Sequence, residues 1–128
     1  MWSDGWIGLP YRELGRGPEA YDCLGLFLAL QRERMGRCLP DPRCSARDAV
    51  RQGAVDRART EWRRLLPDQA QEGDALLFLC AGRALHVGYA LGPRLMLHTQ
   101  AEMGASMIES WRRAPWRDRL EGVYRHVG

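Results

Sequence analysis

Residues 21–30 read Tyr-Asp-Cys-Leu-Gly-Leu-Phe-Leu-Ala-Leu, a cysteine set directly after an aspartate and directly before an almost unbroken apolar run. Asp22 has the chemistry of a helix N-cap, because its carboxylate can accept a hydrogen bond from a backbone N–H left free in the first turn. This predicts a helix that opens at Cys23 and buries most of Leu24 to Leu30. A helix N-terminus favours the thiolate, the reactive form of cysteine, and lowers the pKa from its free value of about 8.5. On that ground Cys23 is a candidate nucleophile. The stretch alone also admits a core role, since cysteine is among the most buried residue types.

Outward from this stretch, the chain of 128 residues is long enough for one real core and too short for two, so it is read as a single domain over 1–128. The net charge of +3 is carried by arginine alone, for the sequence contains no lysine. The arginines are interleaved with acids, as in RERMGR and DRARTEWRR, which describes solvated helix faces rather than a nucleic-acid groove. No apolar run approaches the roughly 18 residues of a membrane span, and no N-terminal apolar segment has signal-peptide length. The expectation is a protein made in the cytoplasm, with neither nucleic acid nor membrane as partner. Cys23, Cys38, Cys44 and Cys80 form no C-x-x-C pair, and no H-x-x-x-H occurs, so no zinc pattern is present. Cys38 and Cys44 read as free thiols around a proline-rich loop, and Cys80 as a buried strand residue.

In chain order, Met1 to Pro18 carries Trp2, Trp6 and Tyr11 and ends on Gly-Arg-Gly-Pro, a lead-in to the Asp22 helix. That helix should run to about Met35, with Gly36 as its stop. Ser45, with Asp48 three residues on, resembles a capping box opening a second helix with Ala46, Val50, Ala54, Ala58 and Trp62 at helical spacing. Beyond the Gly73-Asp74 turn the pattern changes to strands. Five are expected, at 75–80, 85–91, 95–99, 105–109 and 122–126. Helices first and an antiparallel meander second define an α+β fold with a helix packed on a small sheet.

Two of the three histidines fall in the strand region, His86 in LHVGYALG and His98 in MLHTQ. Strands joined through the Gly92-Pro93 turn can bring them face to face. A cysteine at a helix start, a strand histidine and a polar neighbour form a nucleophile–base–orienter set. Either histidine alone reads equally as a core or edge residue; their joint placement with Cys23 is what carries weight. His126 is given no site role.

These motifs resemble the NlpC peptidases (the NlpC and p-sixty group), papain-like cysteine hydrolases of bacterial cell-wall peptides. The resemblance rests on Pro10-Tyr11, with the tyrosine twelve positions before the cysteine, and on Tyr21-Asp22-Cys23 with Gly25-Leu26. It continues through Gly36, Leu39-Pro40, Gly73-Asp74, His86-Val87-Gly88 and His98. It implies a papain-like fold with the nucleophile helix packed on an antiparallel sheet of about five strands. It further implies Cys23 as nucleophile, His86 as general base and acid, and His98 as orienter. Tyr11 would supply an oxyanion-site hydroxyl, and Asp22 would hold the nucleophile helix and line the pocket.

The substrate implied is a peptidoglycan stem peptide, cut typically after D-γ-glutamate through a thioester, with no metal or cofactor. Two departures touch substrate contacts rather than the trio. Leu24 replaces a serine common in exported members, and the lead-in reads Tyr11-Arg12-Glu13-Leu14-Gly15 rather than Y-x-x-G-G. The D-C-L-G-L form, the lack of an export signal and the ending G-V-Y-R-H look like the phage-tail branch. That branch implies a virion component partnered with tail-tip or hub proteins and acting at the wall. Two rivals are a tail-tip structural or assembly part with little hydrolysis, and a delivered antibacterial peptidoglycan amidase toxin.

Overall fold

Helix α1, Cys23–Met35, opens where Asp22 caps it: the Gly25 N–H donates to Asp22 Oδ1 at 2.7 Å. It closes at Gly36, whose φ of 68° lets the chain reverse while the Arg37 N–H reaches back to the Gln31 carbonyl at 3.1 Å. A residue with a Cβ would strain that left-handed position. The computed structural model of the chain describes residues 1–51, 59–80 and 83–128, with the side chains of 47, 50, 51, 59, 80 and 83–85 outside that description. The expectation of a buried Cys80 side chain therefore lies outside the described residues.

The fold is α+β. Its sheet contains β1 (Trp62–Leu65), β2 (Ala75–Cys80), β3 (Arg83–Ala90), β4 (Leu95–His98), β5 (Met107–Ser110) and β6 (Leu120–His126). Their spatial order is β1-β6-β2-β3-β4-β5, all pairs antiparallel. One face packs on α1: Leu26, Phe27, Ala29 and Leu30 meet Ala75, Val87, Tyr89, Leu97 and Tyr124. Burial of each large side chain there contributes about 1.5–3 kcal/mol. Gln31, also fully buried, donates to the Gly73 carbonyl at 2.7 Å and accepts from Arg37 Nη1 at 3.0 Å, which ties the end of α1 to the turn before β2. The second apolar cluster holds Leu76, Phe78, Met96, Trp111, Trp116 and Val123. Trp116 belongs to a short helix, α3 (Trp116–Arg119), that precedes β6.

The antiparallel sheet is close to the five strands expected, with one more, and one expectation needs correction. The added strand, β1, lies where the helical spacing had placed Trp62 at the end of a second helix. That helix, α2, spans Ala46–Arg51, with the Ser45 hydroxyl accepting from the Asp48 N–H at 3.1 Å; positions 52–58 lie outside the described residues. Trp62 instead pairs with His126 on β6 and sets its ring 6.1 Å from Phe27 and 5.0 Å from His126. A pairing partner more than sixty residues away overrides a local periodicity.

Candidate active site

The lead-in holds the start of α1 in place. Tyr21 N–H donates to the Pro10 carbonyl at 3.1 Å, Arg12 N–H to the Tyr21 carbonyl at 3.1 Å, and Tyr11 N–H to the Gly104 carbonyl at 2.9 Å. Tyr11 thus runs beside the residues just before the cysteine. The Gly15 carbonyl accepts from the Asp22 N–H at 3.1 Å and presses on the helix itself: a Cβ at Gly25 would stand 1.9 Å from that oxygen. Only glycine permits so close an approach.

Asp22 is buried, and its Oδ1 serves two donors, the Gly25 N–H and Arg16 Nη1 at 2.8 Å. Arg16 spreads its fork further, to Asp41 Oδ2 at 2.9 Å and the Cys44 carbonyl at 2.7 Å. One guanidinium thereby joins the cap of α1 to the loop beyond it. Sequence reasoning passed over Arg16, although its place between two glycines was a signal. Cys23, Cys38 and Cys44 are free thiols.

The Cys23 thiol does not follow the expectation of a lowered pKa. Burial pushes it up to about 11; the N–H groups of Val87 and Leu24 and the Arg16 guanidinium oppose the rise, while the Asp22 carboxylate adds to it. The side chain keeps part of its surface open. Even so, the surrounding packing removes more water than the helix terminus replaces with favourable dipoles. Tyr11, half-buried, has its phenol pushed up by burial and then by the negative charge that Cys23 and Asp22 can carry, which puts it in the same neighbourhood.

The histidines form a chain across the sheet. His86 Nε2 lies 2.9 Å from His98 Nδ1, and His98 Nε2 lies 2.6 Å from Glu109 Oε2. Trp116 covers them, stacked on the His86 ring at 5.1 Å and edge-on to His98 at 5.0 Å, and its Nε1–H donates to the same Glu109 oxygen at 3.1 Å. Burial drives His86 down to about 3, aided by His98 and by Arg119; burial also lowers His98, with Glu109 opposing. Both rings are therefore neutral at neutral pH.

The sulfur meets β3 at Val87, the residue after His86. It accepts from the Val87 N–H, while the His86 ring packs with Phe78 and Trp116. Among the described residues no hydrogen bond joins Sγ to the His86 ring, and His86 Nε2 is taken by His98. Nδ1 is the nitrogen left for the thiol. Cys23, Tyr11 and Asp22 lie together at the start of α1, and the strand residue that the sulfur meets follows His86, which is joined to His98. His126 stands apart, against Trp62 and 3.8 Å from Glu61.

Glu109 and Trp116 were not singled out from the sequence. Glu109 closes an expected strand in which it is the one acid, a signal that was available; nothing local marks Trp116. Among the described residues, no group of three or more His, Cys, Asp or Glu side chains is arranged to hold a metal ion, and no helix is long and apolar enough to cross a membrane.

The site is thus a cysteine that opens the main helix of an α+β fold, set against an antiparallel sheet that carries paired histidines. The NlpC/P60 family model matches residues 8–125, and the chain belongs to that family. Solved structures share the fold. One described as similar to lipoprotein, NLP/P60 family, from Staphylococcus aureus is 24% identical with a TM-score of 0.67, over 96% of this chain and 38% of that one. An NlpC/P60 family protein from Bacillus cereus is 19% identical with a TM-score of 0.72, over 96% of this chain and 37% of that one. The NlpC/p60 domain of the peptidoglycan hydrolase SagA is 20% identical with a TM-score of 0.62, over 94% and 89%. The chain spans well under half the length of the first two. It matches none of the curated proteins with which it was compared.

Proposed function

We propose that this protein is a cysteine peptidase that hydrolyses amide bonds of peptidoglycan stem peptides. The observation that carries the reading is the junction at β3: Cys23 opens α1 against Val87, and the preceding residue, His86, is held by His98. Membership of the NlpC/P60 family supports the substrate, as does the fold shared with a domain of a named peptidoglycan hydrolase.

In this mechanism thiol and imidazole rest neutral, so the proton moves when substrate arrives rather than before. His86 Nδ1 takes the Cys23 proton as Sγ attacks the carbonyl carbon. The oxyanion is held by the Tyr11 hydroxyl and a backbone N–H near Cys23, donors of a kind whose single loss costs about 10²–10³ in kcat. His86 then gives its proton to the leaving amine as the C–N bond breaks, and water hydrolyses the thioester. The bond proposed is the one after D-γ-glutamate. Leu24 in the D-C-L-G-L motif supports a setting in a phage tail or tail-like particle, with tail-tip proteins as partners.

A second reading, a tail-tip structural part, draws on the raised Cys23 pKa and the lack of a hydrogen bond between Sγ and His86. Cys23→Ala separates the two. It should abolish release of fragments from purified peptidoglycan while the circular dichroism spectrum and Tm stay near those of the parent. Unchanged release would remove the peptidase reading; a particle that fails to assemble with this substitution would establish the structural one.

A further inference from the structure

We infer that Glu109 is a positioning residue that sets the direction of the hydrogen bonds through His98 to His86, leaving the lone pair of His86 on Nδ1, the ring nitrogen that His98 does not take. The inference rests on the peptidase reading for its consequence, but its core is a statement about protons that stands without any activity.

The three residues lie on three neighbouring strands. Tyr89 pairs with Leu97, so the next pair along sets Gly88 opposite His98, and His86 is two residues away on the same face. His98 pairs with Met107 and Met96 with Glu109, so Glu109 is again displaced by two on the same face. The displacements run the same way, making a diagonal in which each polar group reaches the next at 2.9 and 2.6 Å. Diagonal neighbours on a sheet are within reach for side chains of this length.

An ionised carboxylate only accepts hydrogen bonds, and a neutral imidazole has one donor and one acceptor nitrogen. Glu109 Oε2 is fixed as an acceptor twice over, because the Trp116 indole N–H, which can only donate, points at the same atom at 3.1 Å. His98 must then carry its proton on Nε2, and its Nδ1 is an acceptor. His86 Nε2 must donate to that acceptor, so His86 Nδ1 holds the lone pair. Burial keeps both rings singly protonated at neutral pH. Among the described residues, the charged and titratable groups that act on the two rings are His98 and Arg119 on His86 and Glu109 on His98. Arg119 acts on His86 as a positive charge and leaves the assignment of its one proton unchanged.

The test reads the tautomers directly. The chain has three histidines, so ¹⁵N-labelled protein gives three ring signals, with His126 as internal control. The parent protein should show His98 and His86 both protonated on Nε2. Glu109→Gln should keep both tautomers, because the Trp116 N–H selects the amide oxygen for the shared position. Glu109→Ala should yield a mixture at His98 and His86 while His126 is unchanged. On peptidoglycan fragments, kcat/KM should fall about 10- to 100-fold for Glu109→Ala, the range met when the partner that orients a metal-ligating histidine is removed, and only a few-fold for Glu109→Gln. The pH at which kcat/KM rises should shift in Glu109→Ala and hold in Glu109→Gln. His98 or His86 protonated on Nδ1 in the parent, or tautomers unmoved in Glu109→Ala, overturns the inference. An inactive parent with the expected tautomers overturns only the peptidase reading.

Discussion

The Trp116 indole lies on the His86 imidazole with centroids 5.1 Å apart and planes inclined by 27°. The same indole closes edge-on against His98 and Phe78, so one side chain excludes water from both histidines. Trp116 is 3% exposed, and Trp116→Ala should cost about 3–5 kcal/mol, the range for a large buried aromatic. It should also wet the His86 ring and raise its pKa from about 3 toward 6.5. Chemical denaturation gives the first quantity and an NMR titration of the ring protons the second. A destabilised variant with an unmoved His86 pKa would show that water is kept out by other groups.

The neutral histidines make the fold sensitive to mild acid. With a folded pKa near 3 against an ordinary 6.5, His86 leaves a proton to the unfolded chain alone between those values. Its contribution to stability is complete above pH 6.5, falls as the pH drops to about 3, and is level below that. His98, lowered as well, acts in the same direction. Asp41, despite burial, is held low by Arg16, and Glu72 by Arg34; these enter only near and below their ordinary values of 3.8 and 4.5. Loss of urea midpoint between pH 6.5 and 5 is thus a histidine effect. It should shrink in His86→Gln, and an equal slope in parent and variant would contradict the assignment.

Thiol labelling distinguishes the two opposing effects at Cys23. The helix start alone predicts that Cys23 reacts first with iodoacetamide at neutral pH. Burial reverses the order: with the thiol near 11, the exposed Cys38 should be carboxamidomethylated well before Cys23 at pH 7. Cys23 labelling should then climb steadily to about pH 11. Peptide mapping by mass spectrometry at several pH values reads both sites, and a Cys23 rate that is already level at pH 7 would mean a thiolate at rest.

Gly25→Ala should be among the most damaging single-methyl changes in the chain. The added carbon would stand 1.9 Å from the Gly15 carbonyl oxygen, a backbone atom that also accepts from the Asp22 N–H. Relief requires shifting the lead-in away from α1, with overpacking losses of about 1–3 kcal/mol or more. Gly5→Ala, where nothing lies within 4 Å, is the matched control and should change Tm little. Equal Tm values for the two variants would mean that the lead-in yields freely.

Much of this protein was decided by short-range chemistry that a sequence displays. The Asp22 cap, the Cys23 helix start, the Gly36 stop and the Ser45 cap each need only a few consecutive residues, and each stands where its residue type predicts. The apolar runs of β2 to β4 are similarly local, and the spacing of His86 and His98 around Gly92-Pro93 brings them together, although diagonally rather than face to face. Tertiary structure decided the rest. Trp62 is a strand residue because its partner is His126, and Glu109 and Trp116 join the histidines because β5 and α3 return to them across the sheet. The Cys23 pKa was decided there as well. A helix terminus is written in consecutive residues, whereas desolvation is the sum of every group that the fold packs around the sulfur, and here that sum outweighs the terminus.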